Sequence, residues 1–546
     1  MAQTTPTYYY VDGKRQDLVR QDGLIAVKLL GADTKRSATT RSARGAVVEN
    51  FQPPADADIW PGGEMIIEQA SGSTRSAGAH MQQVRSLNTR RDVAFASAVF
   101  ELTPGDRWIA TNQIVAQFVE SLSSFEVAAL GDFYGLERIE PIDWLPRAYL
   151  LQLTPAATMD TASLANTLVE DGHAVFAHPN FMRKLAHRAA VLEPAPALAD
   201  RYWHLRDIDA FAAWQITTGS PDIAIAIIDD GVDVDHRAFA SRSPLNFNAI
   251  DKSANPRPPA AEVEDNLHGT ACAGLALGAA SQAIATSGVA PGCRLMAVRL
   301  LERVIPTSAQ QAANKALSGK DKLALSRALS VVQPYREALA IQWAAEHGAD
   351  VISNSWGPPD GKAKSGHVYP IDDIARLAVA YAVKEGRGGK GCVICWAAGN
   401  GDETVSVDGY ASHPDVLAVA ACTSDGTRAP YSDYGPEVAI TAPGGGYTDG
   451  LVTTVAVDLA GHESYRYDFN GTSAATPIVA GVVALLLSKY PDLTRSEVVD
   501  ILKTTADKID VAGGAYDASG HSDAYGHGRV NAAKALKEAK RRQNAG

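Results

Sequence analysis

Cysteine is scarce in this chain: five among 546 residues, Cys272, Cys293, Cys392, Cys395 and Cys422, an odd number at irregular spacing. That argues against a disulfide framework and for a reducing compartment. Cys392 and Cys395 have CxxC spacing, but they lie in the apolar stretch CVICWAAG, which reads as a buried strand with core thiols. Basic charge is in deficit, with 50 Lys+Arg against 62 Asp+Glu and a formal net charge of −12. No nucleic acid partner is expected, because phosphate binding needs a concentrated basic surface. Long apolar runs are missing too. The longest, around Ile478–Leu487, falls short of the roughly 20 residues that cross a bilayer, so no membrane is expected. The opening MAQTTPTYYYVDGKRQDL has no positively charged start followed by an apolar core, so no secretory signal is read and a cytoplasmic location is expected.

What is present is an ordinary globular composition, 46% hydrophobic and 21% charged, in a chain long enough for two to four domains. Residues 1–92 read as an N-terminal extension of unclear role: short strands at Thr7–Lys14 and Gly23–Leu30, then a Ser-, Thr-, Arg- and Gly-rich stretch to about Asn88 that is partly loop. Residues 93–182 contain strand Ile114–Ser121, a helix over Ser124–Gly135, strands Leu136–Ile142 and Arg147–Leu153, helix Thr161–Asp171, and a strand from Ala174 to His178 that ends at Pro179-Asn180. This order predicts a small α+β, ferredoxin-like domain. Residues 183–200 read as a linker. From 201 to 546, continuous apolar strands alternate with helices, which predicts an α/β domain with a parallel sheet buried on both faces.

Three segments of the α/β region carry chemistry. In IAIAIIDDG, a strand runs into Asp229 and Asp230, and a carboxylate at the C-terminal end of a parallel strand faces the ligand crevice. In NLHGTACAGLALG, His268 opens a small-residue helix with Cys272 one turn behind it. In FNGTSAATPIVAGVVALLL, Ser473 stands at the start of an apolar helix, where the helix field favours developing negative charge; Pro477 is expected in the first turn. Alone, each has a structural reading: a turn carboxylate, a core histidine, an N-cap.

Together and in this order they resemble the subtilisin-like serine proteases, closest to the kexin and furin group. SNSWGP (Ser353–Pro358), GRGGKG, WAAGNG (Trp396–Gly401), DGY (Asp408–Tyr410) and GHGRVNAAKA add to the match, which covers about Tyr202–Ala535. The resemblance implies a serine endopeptidase acting on protein or peptide substrates. Ser473 is then the nucleophile, His268 the base and Asp229 its orienting acceptor, with Asp230 structural; Asn400 is an oxyanion donor beside the Ser473 N–H. It also puts Ser355, Trp356 and Gly357 on one side of an extended substrate and Ala397, Ala398 and Gly399 on the other. Asp408 and Asp360 fall where furin-like enzymes receive a basic residue before the cut, although the loop after Gly401 is shorter and the segment after SWGP is one residue short.

No cofactor is required for the chemistry. Family members commonly bind calcium as a structural ion, for which Asp360, Asp402 and Asp433 are the candidates. Residues 93–182 resemble a propeptide in element order and position, which makes the chain's own N-terminal domain the expected intramolecular inhibitor and Arg188 a candidate for self-cleavage. The insertion 301–336 departs from the family, as does the absence of room for a β-sandwich domain after the protease. Two alternatives stand beside a general protease: a regulated protease with one dedicated intracellular target, and a non-catalytic peptide-binding scaffold on the same fold.

Overall fold

A computed structural model of the chain describes residues 4–29, 58–60, 65–69, 77–90, 93–103, 106–154, 157–187, 202–239, 242–243, 245–257, 268–279, 287–303, 329–361, 368–455 and 464–545. Arg188, most of the 301–336 insertion and the rest of the expected linker lie outside the described residues.

Strands β1 (Thr4–Val11) and β2 (Lys14–Leu29) form a hairpin closed by Asp12-Gly13, both left-handed with φ of 50° and 68°. Asp-Gly favours this two-residue turn, so the strand read as running to Lys14 stops at Val11. After β3 (Asp58–Trp60) and β4 (Met65–Gln69), a helix, α1 (Ala77–Asn88), occupies part of the stretch expected to be loop-rich. Strands β5 (Val93–Glu101) and β6 (Arg107–Phe118) follow. The latter opens a βαββαβ unit with α2 (Ser124–Tyr134), β7 (Leu136–Pro141), β8 (Ala148–Leu153), α3 (Thr161–Glu170) and β9 (Ala174–His187). Its antiparallel order β7-β8-β6-β9 is ferredoxin-like. A Ser123/Glu126 capping box starts α2, and left-handed Gly135 ends it.

The expected end of the last strand at Pro179 is corrected. Pro179 pairs with Ile114 beside a register irregularity between Ala110 and Ile114, a place that tolerates its missing N–H. Strand β9 therefore continues to His187. The first five residues of the expected linker, 183–187, are strand.

The α/β part begins with short helices α4 (Trp203–Asp207) and α5 (Ala210–Trp214). Then come β10 (Ala224–Asp229), β11 (Phe247–Asn248), α6 (His268–Leu277), β12 (Arg294–Arg299), β13 (Glu302–Arg303), β14 (Leu329–Val332), α7 (Pro334–Glu346), β15 (Val351–Asn354), β16 (Trp356–Gly357), α8 (Asp373–Glu385), β17 (Val393–Ala397), β18 (Leu417–Cys422), β19 (Val438–Pro443), β20 (Leu451–Val455), β21 (Ser464–Phe469), α9 (Thr472–Lys489), α10 (Arg495–Thr505) and α11 (Ala532–Ala545). A parallel seven-stranded sheet has the order β11-β12-β10-β15-β17-β18-β19.

Its two faces belong to different cores. Along β10, Ile225 and Ile227 join the cluster containing α6 and α9, while Ala224, Ala226 and Ile228 join the cluster containing α7 and α8, as the two-residue period of a strand requires. The CxxC pair is divided in the same way, Cys395 on the first face and Cys392 on the second. Burial pushes both thiols up to about 12. Helix α9, at 18 residues, is long and apolar enough by composition to cross a membrane, but its apolar stretch is 89% buried in the fold. It is the core helix.

The N-terminal strands do not hang from the α/β part; they share its second core. Tyr9, Leu18, Phe100, Trp108 and Phe181 lie in one apolar cluster with Tyr335, Ile341, Trp356, Tyr369 and Trp396. The hairpin turn also docks polar groups. The Asp12 N–H donates to both carboxylate oxygens of Asp373 at 3.1 Å, and Arg376 bridges Asp12 at 3.3 Å and Asp373 at 2.8 Å. Past Met182, β9 runs between β14 and β16, antiparallel to both, with Leu329 and Gly357 each opposite Ala186 and Trp356 opposite His187. This inserted strand unites the N-terminal region with the edges of the α/β cleft.

Candidate active site

Asp229 ends β10, and His268 begins α6 across the crevice. His268 Nδ1 lies 2.9 and 3.1 Å from the two Asp229 carboxylate oxygens. Ser473 is the second residue of α9 and is fully buried. Its carbonyl lies 3.6 Å from the Cys272 sulfur, which in turn lies 3.8 Å from His268 Nδ1, so the thiol is a common neighbour of both residues. The Ser473 hydroxyl donates to the Ser355 carbonyl at 3.0 Å. Burial lowers the pKa of His268 to about 4; Asp230 opposes that shift and Arg466 adds to it.

Pro477 falls in the second turn of α9 rather than the first, because the helix begins at Thr472. With no N–H at Pro477, the Ser473 carbonyl loses its partner four residues on. The Ser355 hydroxyl donates to it instead at 3.1 Å, with Cys272 Sγ–H as the second donor. The proline thereby ties the serine's backbone to the neighbouring segments.

Asn400 sits against the same helix start. Its Oδ1 accepts the Thr472 N–H at 3.0 Å and the Thr472 hydroxyl at 3.1 Å, which fixes the amide plane. The groove edges are held by indoles: Trp356 Nε1 donates to the Ile228 carbonyl at 2.8 Å, and Trp396 Nε1 donates to the Trp356 carbonyl at 2.7 Å. Ser355, Trp356, Gly357, Ala397, Ala398 and Gly399 are all buried, but the expected pair of edges is corrected: the strand alongside Trp356–Gly357 is β9, and the other neighbour of β9 is β14, not Ala397–Gly399. Asp408 is buried and accepts the N–H groups of Tyr410 at 2.8 Å and Ala411 at 3.3 Å.

Carboxylate oxygens of Asp360, Glu403 and Asp433 converge within 4.8 Å of one another. Backbone donors orient them: Asn400 N–H to Asp360 at 3.2 Å, Gly361 N–H to Glu403 at 2.7 Å, and Gly401 N–H to Asp433 at 2.7 Å. A Cβ on Gly399 would lie 2.0 Å from Asp433 Oδ2, so the carboxylate occupies space only glycine leaves. Asp402 is corrected out of this group: it is more than half exposed and pairs with Arg428 at 2.7 Å, and its neighbour Glu403 points inward in its place.

A second charged pocket had no counterpart in the sequence reading. Arg183, on the inserted part of β9, is fully buried between Asp372 at 2.6 Å and Glu337 at 3.1 Å, and also donates to the Tyr410 hydroxyl. The Trp108, Tyr369 and Tyr410 rings stand 5.5–5.6 Å from its guanidinium. Burial acts to discharge Arg183, but Asp372 and Glu337 outweigh it and hold the cation firmly charged. The available signal was Glu337, an acid on the apolar face of the helix PYREALAIQW.

A hydroxyl at a buried helix start, an imidazole gripped by a carboxylate and a groove that takes up an extended strand, all on a parallel α/β sheet, define a peptide-bond hydrolase. Residues 220–528 match Peptidase S8, the subtilase family. The chain belongs to that family and is a subtilisin-like serine endopeptidase. It is 37% identical over 489 residues to the calcium-dependent protease of Nostoc sp., covering 82% of this chain and 67% of that one. It is 26% identical over 366 residues to human furin, covering 64% of this chain and 42% of furin. Among solved structures, fervidolysin from Fervidobacterium pennivorans, a keratinolytic enzyme related to subtilisin, matches in fold with a TM-score of 0.59 at 22% identity, over 80% of this chain and 62% of that one.

Proposed function

We propose that the chain hydrolyses peptide bonds through an acyl-enzyme on Ser473, that its own N-terminal region occupies the cleft until released, and that it prefers a basic residue before the cut. The observation that carries the reading is the double contact of Asp229 with His268 Nδ1. It holds the imidazole in the tautomer whose Nε2 accepts a proton. The Ser473 hydroxyl first rotates off the Ser355 carbonyl towards Nε2; as Oγ attacks the substrate carbonyl, the proton passes to His268 and then to the leaving amine. Water repeats the sequence and frees the acid. Because Asn400 Oδ1 is held by Thr472, its Nδ2–H is the end available to the oxyanion, with the Ser473 N–H beside it. A serine-directed fluorophosphonate tests this: it labels Ser473 of the chain freed of its N-terminal region, and absence of label refutes the reading.

The three-stranded arrangement β14-β9-β16 supports inhibition in cis. Strand β9 pairs antiparallel with the groove edge as far as His187 opposite Trp356, and a substrate strand would bind in the same way. Arg188, next in sequence after His187, is the candidate for self-cleavage. For specificity, Asp408 carries the reading, since Asp360 is engaged in the carboxylate cluster. Asp408→Ala is expected to lower kcat/KM for cleavage after Arg roughly 100-fold and after Leu by less than about threefold. Equal losses on paired peptides would refute a basic preference.

The carboxylates of Asp360, Glu403 and Asp433 suit calcium: all are hard oxygen donors, pre-oriented by backbone N–H groups, and their mutual repulsion needs a cation. The relative named a calcium-dependent protease points the same way. Bound calcium would neutralise this cluster and brace the loop that carries Asn400. Millimolar calcium is expected to raise Tm by about 5 °C or more over the chelated protein. Glu403→Gln should abolish the rise and Asp402→Asn should keep it; the reverse pattern would move the site.

A further inference from the structure

Asp230 follows the carboxylate that grips the imidazole, and it grips the same residue from behind. Its Oδ2 accepts the His268 N–H at 3.1 Å and its Oδ1 accepts the Gly269 N–H at 2.8 Å. These are backbone donors of the first turn of α6, where no intrahelical carbonyl can serve them. The Asp230 backbone N–H itself donates to Asp229 Oδ1 at 2.8 Å, so the same residue also orients its neighbour's carboxylate. The approach is close: a Cβ on Gly269 would sit 2.4 Å from the Gly231 carbonyl oxygen and 2.8 Å from Asp229 Cβ, so only glycine lets the helix end reach the strand end.

We infer that Asp230 is a positioning residue for peptide hydrolysis, anchoring the His268 backbone so that its imidazole stays on Asp229 while Ser473 reacts. The inference rests on the reading of His268 as the base. Holding both ends of one residue removes the helix-end slack that would let the ring drift, and a drift of about 1 Å can cost on the order of 100-fold in rate. The carboxylate also places negative charge where the imidazolium forms. The groups facing that ring are Asp229 at the end of β10, Asp230 just after it, Cys272 from its own helix, and Arg466 and Phe469 from β21. Among these, Asp230 opposes and Arg466 reinforces the burial that disfavours protonation.

The test compares Asp230→Asn and Asp230→Ala with the parent, each made as the full chain and labelled after release of its N-terminal region. The readouts are the rate of fluorophosphonate labelling against pH and, in a Ser473→Ala background, the NMR titration of 13C-labelled His268. The isosteric Asn keeps one acceptor and guards against loss of folding, which melting checks. Labelling is expected to fall about 10–100-fold for Asn and further for Ala, with the acid limb and the His268 midpoint both moving to lower pH in Asp230→Asn. A labelling rate within threefold of the parent, or a loss with limb and midpoint unmoved, overturns the assignment. A parent chain that takes no label even after release of its N-terminal region refutes the protease reading instead, and the His268 midpoint still decides the role of Asp230.

Discussion

Alanine at position 473 is expected to reduce peptide hydrolysis by about 10⁴–10⁶-fold, the range found when a member of such a triad is removed. The argument is chemical. A serine hydroxyl is a weak nucleophile, and the site supplies what it lacks: a buried imidazole kept neutral to about pH 4, an orienting carboxylate, and the positive end of an 18-residue helix. Because these groups work as a unit, His268→Ala should cost nearly as much, and the double variant little more than either single one. Steady-state hydrolysis of a fluorogenic peptide by the chain freed of its N-terminal region checks this. More than a tenth of parental turnover in Ser473→Ala would place the nucleophile elsewhere.

Neutralising Arg183 is expected to activate the intact chain. In Arg183→Met, the buried carboxylates of Glu337 and Asp372 lose their cation, and stranding buried charge costs about 3–5 kcal/mol. That penalty falls on the docked state alone, because once the inserted strand leaves the cleft, water reaches both acids. A shift of about 3 kcal/mol changes the open population by on the order of 100-fold, so initial peptide hydrolysis by the uncleaved variant should exceed the parent's by a similar factor. Lys184 is the control. It is the neighbouring cation on the same strand, is half-buried and lies over Trp60, and Lys184→Met should change the rate little. An Arg183→Met chain that stays folded and no more active than the parent would mean that this ion pair does not hold the cleft closed.

How far the sequence could be read depended on the range of the interactions involved. Sheet strands β10, β12, β15, β17 and β18 were legible because each is built on a continuous apolar run. Helix α2 was legible from its Ser cap, a signal that lies within one turn of the helix it starts, although it stops at Tyr134 and Gly135 caps it. The residues now found around the cleft, Asp229, His268, Asn400 and Ser473, were legible because each sits in a motif bound to a strand or helix end. Misreadings came where a local signal met a distant partner. Pro179 reads as a stop, yet β6 supplies an irregular register that accommodates it. Asp402 and Glu403 are adjacent acids with equal claims, and only the backbone turn, with Asp402 at φ 51°, sends one out to Arg428 and the other in to Asp433. Arg183 reads as one more basic residue in a linker.

By itself, then, the sequence determined the family, the parallel sheet and the identity of the groups that meet at its C-terminal edge, because periodicity and short motifs record contacts made within a turn or a strand. The tertiary structure alone decided that β9 pairs between β14 and β16, that Arg183 is buried between two acids, and that Asp230 holds the same helix end as the imidazole it adjoins. Those are pairings between residues some 40 to 190 positions apart. Their free energy comes from excluding water around charges and backbone donors, which happens only once the chain has closed around them.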